Sequence, residues 1–306
     1  MRALAVDAVP AAPALTEVPT PRPESGELLV RVAATSINGF DAATAAGYVQ
    51  GMMEHRFPLV TGKDFAGVVE GATPDAEGFS LGDEVFGVVT KPFLGTGSHA
   101  EYVTVPVAVG VTLVPAGLSL ADAGALGLAG TAAVDALDAV ALKPGETVLI
   151  AGATGGVGAI ALQYAVTAGA QVIATARPGA ETDFVRDLGG QAVQIVDYTG
   201  DLAAQVAGPV DVVLHFAGDG AALAGLVEKG GRLASTLGFA PEADSEITGT
   251  VVMATPTRAT LDRLAADAAA GRLRVPVTRR YPFDDAATAF ADFGAGALGK
   301  LAIDVA

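Results

Sequence analysis

Residues 148–177 read VLIAGATGGVGAIALQYAVTAGAQVIATAR, without a charge before Arg177 and with Gly152, Gly155, Gly156 and Gly158 gathered near the start. Hydropathy alone would admit a membrane span here. The glycine cluster argues against one, because each glycine in a helix costs about 1 kcal/mol relative to alanine. A different division fits the residues better. Thr147 to Ala151 (TVLIA) is a short, continuously apolar run, as a parallel strand covered on both faces requires. After the glycines, Val157, Ile160, Ala161, Tyr164, Ala165 and Ala168 recur at helical spacing, and Gly169 stands where a helix C-cap belongs. Gln171 to Thr175 (QVIAT) is a second buried strand. Strand, glycine turn, helix and strand follow one another within the length of a parallel crossover.

Inside the turn, Ala153, Gly155 and Gly158 take the three small-residue positions of a GxGxxG-type fingerprint. Such positions serve a tight turn, close approach of backbone to a pyrophosphate, and contact between helix and strand. The helix N-terminus then offers free N–H groups to phosphate. The segment reads as a dinucleotide cradle, against the alternative of a glycine-rich core turn with no ligand. The end of the second strand bears on which dinucleotide. A carboxylate there would bind the ribose hydroxyls of NAD, but Thr175, Ala176 and Arg177 stand in its place and no acid occurs before Glu181. A guanidinium paired with a 2′-phosphate contributes about 1.5–3 kcal/mol, a roughly ten- to hundred-fold preference for NADPH. The alternative for Arg177 is a solvated loop arginine.

Apolar runs continue at 192–196, 210–216, 231–236 and 248–254, with helix-compatible ETDFVRDLG and GAALAGLVEKG between some of them. Six buried strands with helical crossovers predict a doubly wound Rossmann sheet. Ser119 to Leu142 reads as a helical lead-in and Leu261 to Leu273 as a closing helix. The first 115 residues differ: short runs such as ELLVRVAA, GVVEG and EYVTV are parted by Gly, Pro and Asp, as in a compact antiparallel barrel. The tail returns to that style. The expected division is therefore 1–118 completed by 274–306, with 119–273 inserted as the nucleotide-binding domain. A chain of 306 residues is long enough for two such cores.

Composition removes several functions. Acidic residues outnumber basic ones 34 to 18, giving a net charge of −16, a field that repels nucleic acid and anionic membranes. There is no cysteine, so disulfides, thiolate metal sites and a cysteine nucleophile are absent. Asp7 and two prolines interrupt the apolar start, so no signal peptide is read and a cytoplasmic location is expected.

The segments ATSINGFDAATAAGY, FPLVTGKDFAGVVEG, GDEVFGVV, GSHAEYVTVP, LAGTAAVDAL, AGATGGVGAIALQYA and GALGKLAIDV occur in one order along the chain. In that order they resemble the medium-chain dehydrogenase/reductase superfamily, most closely its zinc-free NADPH quinone oxidoreductase (zeta-crystallin-like) branch. The resemblance implies an α/β protein with a GroES-like antiparallel β-barrel catalytic domain, a doubly wound Rossmann domain, a cleft between them and NADPH as hydride donor. In the zinc-dependent members, a cysteine stands at the position of Asn38 and a histidine at that of Lys63. Asn is a feeble zinc ligand and protonated Lys is none. His55, His99 and His215 are scattered, and no metal is expected.

The resemblance further implies Asn38, Tyr48 and Thr131 as catalytic candidates. Asn38 would offer an amide to a substrate oxygen, Tyr48 a hydroxyl, and Thr131 a place near the nicotinamide. Each has a plain alternative: a turn asparagine, a surface tyrosine and a structural helix threonine. Asp41 reads as an N-cap rather than a catalyst; His55 reads as a surface loop histidine, against a place at the pocket mouth, and Lys300 as a surface lysine, against one that reaches the cleft. For the cofactor, Ala153, Thr154, Gly155, Gly156, Val157 and Gly158 would meet the pyrophosphate and Arg177 the 2′-phosphate. Tyr198, Ala217, Gly218, Leu237 and Gly238 would line the adenosine and nicotinamide.

A hydride moved to an electron-poor quinone or α,β-unsaturated carbonyl needs no Lewis acid, only alignment and a donor for the developing oxyanion. The expected function is NADPH-dependent reduction of such an acceptor. The alternatives are a nucleotide-binding protein that reduces nothing, and a biosynthetic tailoring enzyme on the same fold. The strand at 248–254 would leave an apolar sheet edge, so a homodimer is expected.

Overall fold

Beside the glycine turn, the order in which the strands are added to the sheet reverses. The computed structural model describes residues 1–306, and its contacts divide into two units, Ala129–Thr255 and Met1–Leu128 with Pro256–Ala306. The first of these holds a six-stranded sheet made of Gln194–Val196, Gln171–Thr175, Thr147–Ala151, Val210–His215, Val227–Ser235 and Thr248–Val251, in that spatial order. Every neighbouring pair is parallel. Numbered along the chain, the order is third, second, first, fourth, fifth, sixth, which is the Rossmann winding. The reversal falls between Thr147–Ala151 and Val210–His215, the place where open α/β sheets bind ligands.

The apolar runs form the middle of this sheet because both its faces are covered. Leu149, Ala151, Ile173, Val196, Val213 and Leu233 pack into one cluster, each large side chain contributing about 1.5–3 kcal/mol by leaving water. The helix Gly156–Thr167 buries Ile160, Ala161, Leu162 and Ala165, ends at Ala168, and passes into Gly169 at φ 76°. Two expected helices are shorter than the pattern suggested. GAALAGLVEKG is helical only over Gly220–Ala224, and Val227 already opens the next strand. The lead-in is broken into Leu120–Ala123 and Gly127–Val140.

The other unit is built mainly from antiparallel strands. One path runs Val277–Pro282, Lys300–Asp304, Glu27–Ser36, Asp64–Ala72, Glu84–Val88 and Val111–Leu113, with Tyr102–Pro106 also on Glu27–Ser36. A second sheet joins Ala14–Glu17, Arg2–Val6, Glu54–Val60 and Phe93–Thr96. The tail strand Lys300–Asp304 pairs with Glu27–Ser36, Ala302 opposite Ser36, so the C-terminal segment completes the N-terminal unit. Leu28, Val30, Val32, Phe65, Val69, Val85 and Val103 form its main core.

The division falls at 128/129 and 255/256 rather than at 118/119 and 273/274. The helix Arg258–Ala269 is held by the barrel: Thr112 Oγ1 donates to the Asp262 carboxylate, and the Gly110 N–H donates to Pro256 O at 3.0 Å. No helix is long and apolar enough to cross a membrane.

Candidate functional site

The glycine turn is shaped by backbone rather than by side chains. Gly152 adopts φ 87°, and a Cβ there would come within 2.9 Å of Ala217 Cβ at the end of the neighbouring strand. Its N–H donates to Thr175 Oγ1 at 2.9 Å, tying the turn to the second strand. A Cβ on Gly158 would lie 2.1 Å from Gly152 O, so the first turn of the helix can rest on the strand end only with glycine there. Gly155, the N-cap, would meet nothing closer than Gly152 O at 3.6 Å. The helix therefore begins in bare backbone, which suits a phosphate and fits a dinucleotide. Ala153 is fully buried behind the turn, whereas Thr154, Gly155, Gly156 and Val157 are partly exposed along its rim. The sequence fingerprint placed the tight turn at Ala153; the left-handed residue is Gly152.

Two further loops complete this edge. Ala217 and Gly218 are exposed after Val210–His215, with Gly218 at φ 90°, and Leu237 and Gly238 are exposed after Val227–Ser235, with Gly238 at φ 78°. A buried pair underneath organises both. His215 Nε2 bonds Gly218 O at 3.1 Å, so it carries the proton, and Nδ1 accepts from Ser235 Oγ at 3.0 Å. Ser235 Oγ in turn accepts the Leu237 and Phe239 N–H groups at 3.1 and 3.3 Å. A lone histidine in the apolar run VDVVLHF was the available signal, since a buried polar group requires partners.

Arg177 is not a free cation. Its N–H donates to Glu181 Oε2 at 2.8 Å, and its Nε and Nη2 stand 2.7 and 2.6 Å from Oε1. Tyr198 donates its hydroxyl to the same oxygen at 3.1 Å, and its ring centroid is 5.8 Å from the guanidinium. Burial works against ionisation of Glu181, but the Arg177 backbone N–H, the guanidinium and the Tyr198 hydroxyl together hold its carboxyl below the usual range. Arg177 and Tyr198 are thus adjacent, and Glu181 is the residue that joins them.

In the barrel unit, Asn38 belongs to a buried polar cluster. Asp64 is 0% exposed and Lys300 2%, on strands at opposite sides of Glu27–Ser36. The Asp64 carboxylate accepts from Ser36 Oγ at 2.6 Å, Asn38 Nδ2 at 3.0 Å, Lys300 Nζ at 3.1 Å and the Leu128 N–H at 2.6 Å. Lys300 Nζ also donates to Asn38 Oδ1 at 2.5 Å. These contacts fix which end of the amide is which, and leave one Nδ2 hydrogen uncommitted. Lys300 is accordingly no surface lysine. Its place in GKLAIDV, a strand otherwise apolar to Ile303, was the signal that it had to be paired.

Asn38, not Asp41, caps the helix Gly39–Ala45. Asp41 sits at the third helical position and accepts the Asn38 N–H at 2.9 Å, the reciprocal half of a capping box. Burial raises the Asp41 carboxyl; the His99 charge and the Asn38 N–H oppose the rise, Asp64 adds to it, and Lys300 opposes it. Phe40, Asp41, Lys63, Val89 and Phe93 line a small pocket. Lys63 Nζ donates to Val89 O at 2.9 Å, and burial lowers its ammonium while Asp41 partly restores it. Tyr48 is 81% exposed, and Thr131 is fully buried in the helix Gly127–Val140. His55 Nδ1 bonds Met53 O at 2.9 Å and His99 bonds Thr61 and Ser36, each within its own neighbourhood.

Comparison with known proteins agrees with this architecture. A family model described as an alcohol dehydrogenase GroES-like domain matches residues 24–116, and one described as a zinc-binding dehydrogenase matches residues 191–303. The chain is 33% identical over 321 positions to a mycocerosic acid synthase-like polyketide synthase of Mycobacterium tuberculosis, covering 92% of this chain and 14% of that protein. It is 34% identical to a chloroplast envelope quinone oxidoreductase homolog of Arabidopsis thaliana, covering 66% of this chain and 62% of the relative. To a 2-methylene-furan-3-one reductase of Solanum lycopersicum it is 30% identical, covering 71% and 56%. The chain thus spans less than two thirds of each of these curated relatives. A quinone oxidoreductase structure from Coxiella burnetii superimposes with a TM-score of 0.88 at 26% identity, over 100% of this chain and 99% of that one. A mycobacterial structure complexed with NADPH superimposes at 0.87 and 26%, over the whole of both chains. Barrel, winding and glycine turn agree with these matches: the chain belongs to the medium-chain dehydrogenase/reductase superfamily of nicotinamide-dependent oxidoreductases, in its quinone oxidoreductase branch.

Proposed function

We propose that this chain is an NADPH-dependent oxidoreductase that reduces a quinone or an α,β-unsaturated carbonyl without a metal. The observation that carries the nucleotide part is Gly158 against Gly152 O, which lets a bare helix N-terminus open beside the sheet reversal. Ala153 to Gly158 would hold the pyrophosphate, Arg177 and Tyr198 the adenosine side with its 2′-phosphate, and the loops Ala217–Gly218 and Leu237–Gly238 the rest of the nucleotide. When bound, the cofactor supplies a hydride.

Zinc does not fit the residues at the family's metal positions. An ammonium already lies 2.5 Å from Asn38 Oδ1, and the other position is Lys63, itself a cation. The acceptor must therefore be one whose carbon is electron-poor on its own account, which favours quinones and enones over simple aldehydes. In this reading the spare Nδ2 hydrogen of Asn38 donates to the oxygen that gains charge, and the cluster beneath it prevents the amide from turning. The exposed Tyr48 phenol is a proposed second donor and Thr131 a positioning residue at the nicotinamide end. The 2-methylene-furan-3-one reductase of Solanum lycopersicum and the Arabidopsis quinone oxidoreductase homolog support the acceptor class.

The test is NADPH oxidation followed at the nicotinamide absorbance against a panel of benzoquinones, naphthoquinones and short enones. Turnover of at least one class, unchanged by chelators, is expected. Binding of NADPH with no turnover of any acceptor would favour the non-reducing alternative instead.

A further inference from the structure

Resting on the nucleotide reading above, we infer that Glu181 is a specificity-determining residue: it competes with the 2′-phosphate for Arg177 and so holds back the preference of this chain for NADPH over NADH. The carboxylate side chain is 10% exposed whereas the guanidinium is 59% exposed. The acid is therefore the fixed partner and the base the one reachable by ligand. Glu181 lies in the first turn of Ala180–Gly189, just after the second strand of the winding, and takes the Arg177 backbone N–H as well as two side-chain nitrogens. Tyr198 adds a fourth donor from the end of the third strand.

The consequence is electrostatic. An arginine alone at this strand end presents a full positive charge to a phosphate. An arginine already bonded through Nε and Nη2 presents Nη1 and the remaining Nη2 hydrogen, as part of a pair with no net charge. A 2′-phosphate on the exposed side of that pair is attracted by the guanidinium and repelled by the carboxylate a few ångströms behind it. The uncharged 2′-hydroxyl of NADH feels neither strongly. Replacing the carboxylate by an amide keeps one of the two oxygens as acceptor, either for the Arg177 N–H or for the Tyr198 hydroxyl and guanidinium, and removes the repulsion. At an effective dielectric near that of a protein surface, one such charge corresponds to about a ten-fold change in affinity.

The experiment is calorimetric titration of the full chain with adenosine 2′,5′-bisphosphate and with adenosine 5′-monophosphate, which differ in the 2′-phosphate. Glu181→Gln is expected to tighten the bisphosphate about ten-fold and to leave the monophosphate within about two-fold. Glu181→Ala is expected to shift the ratio in the same direction, so the inference does not hang on one variant. An unchanged or lowered ratio in a folded variant overturns it, and a lowered one would make Glu181 a support that holds Arg177 in place for the phosphate. Should the unmodified chain bind neither fragment nor NADPH, the nucleotide reading fails and the inference with it; binding of both with an unmoved ratio defeats the role of Glu181 alone.

Discussion

Replacing Lys300 by methionine takes the ammonium out of a cluster closed to solvent and leaves most of its stem volume filled. Asp64, 0% exposed, would keep Ser36, Asn38 and the Leu128 N–H but lose its counter-charge. Leaving one charge of a buried pair uncompensated costs about 3–5 kcal/mol. For a unit the size of Met1–Leu128 with Pro256–Ala306, each kcal/mol corresponds to about 2–4 °C, so the melting temperature of that unit should fall by roughly 6–20 °C. Scanning calorimetry at pH 7 reads this directly. The double variant Lys300→Met with Asp64→Asn removes both charges and should recover more than half of the loss, because the neutral amide needs no counter-ion. A fall below about 2 °C in the single variant, or no recovery in the double, would refute the view that this pair anchors Asn38.

Three other outcomes follow from the same geometry. Gly158→Ala drives a Cβ into the Gly152 carbonyl, so it should destabilise the nucleotide-binding unit by about 1–3 kcal/mol and weaken NADPH binding at least ten-fold; a variant that melts and binds like the parent would contradict the cradle. The folded chain holds the Asp41 proton to a higher pH than the unfolded chain does, so this group contributes stability fully below pH 3.8 and loses it as the pH rises through its folded-state value. The stability of Asp41→Asn relative to the parent, from urea unfolding, should therefore grow as the pH rises above 3.8; a constant difference would count against it. The strand Thr248–Val251 ends the sheet with half-exposed Val251 and exposed Met253 beside it, and we propose that a second copy pairs there. Light scattering at micromolar concentration should give a dimer, and Val251→Lys a monomer; a monomeric parent would remove the proposal.

The winding was legible because its strands are buried on both faces, so their composition alone marks them, and because the glycines of the turn have steric duties that no other residue can perform. The shortened helix at Gly220–Ala224 was not, since Leu226 and Val227 suit a helix and a buried strand equally and only pairing with Val210 decides between them. The site was legible where a local motif carries it and obscure where distant segments meet. Lys300 and Asp64 are 236 positions apart, and a lysine in a C-terminal strand looks exposed until the strand is known to lie against Glu27–Ser36. Glu181 was visible as the next acid after Arg177, but its bond to that arginine depends on the helix starting at Ala180, four residues being one turn. His215 and Ser235 are joined across two strands of the sheet, a relation that register reveals and spacing does not.

The central claim is that the glycine-edged start of Gly156–Thr167 receives the diphosphate of a nicotinamide dinucleotide. Calorimetric titration of the purified, folded chain with NADPH tests it most directly. Saturable uptake of one nucleotide per chain is the result the structure predicts. No heat of binding with NADPH or NADH, in a chain that unfolds cooperatively on heating, would contradict it.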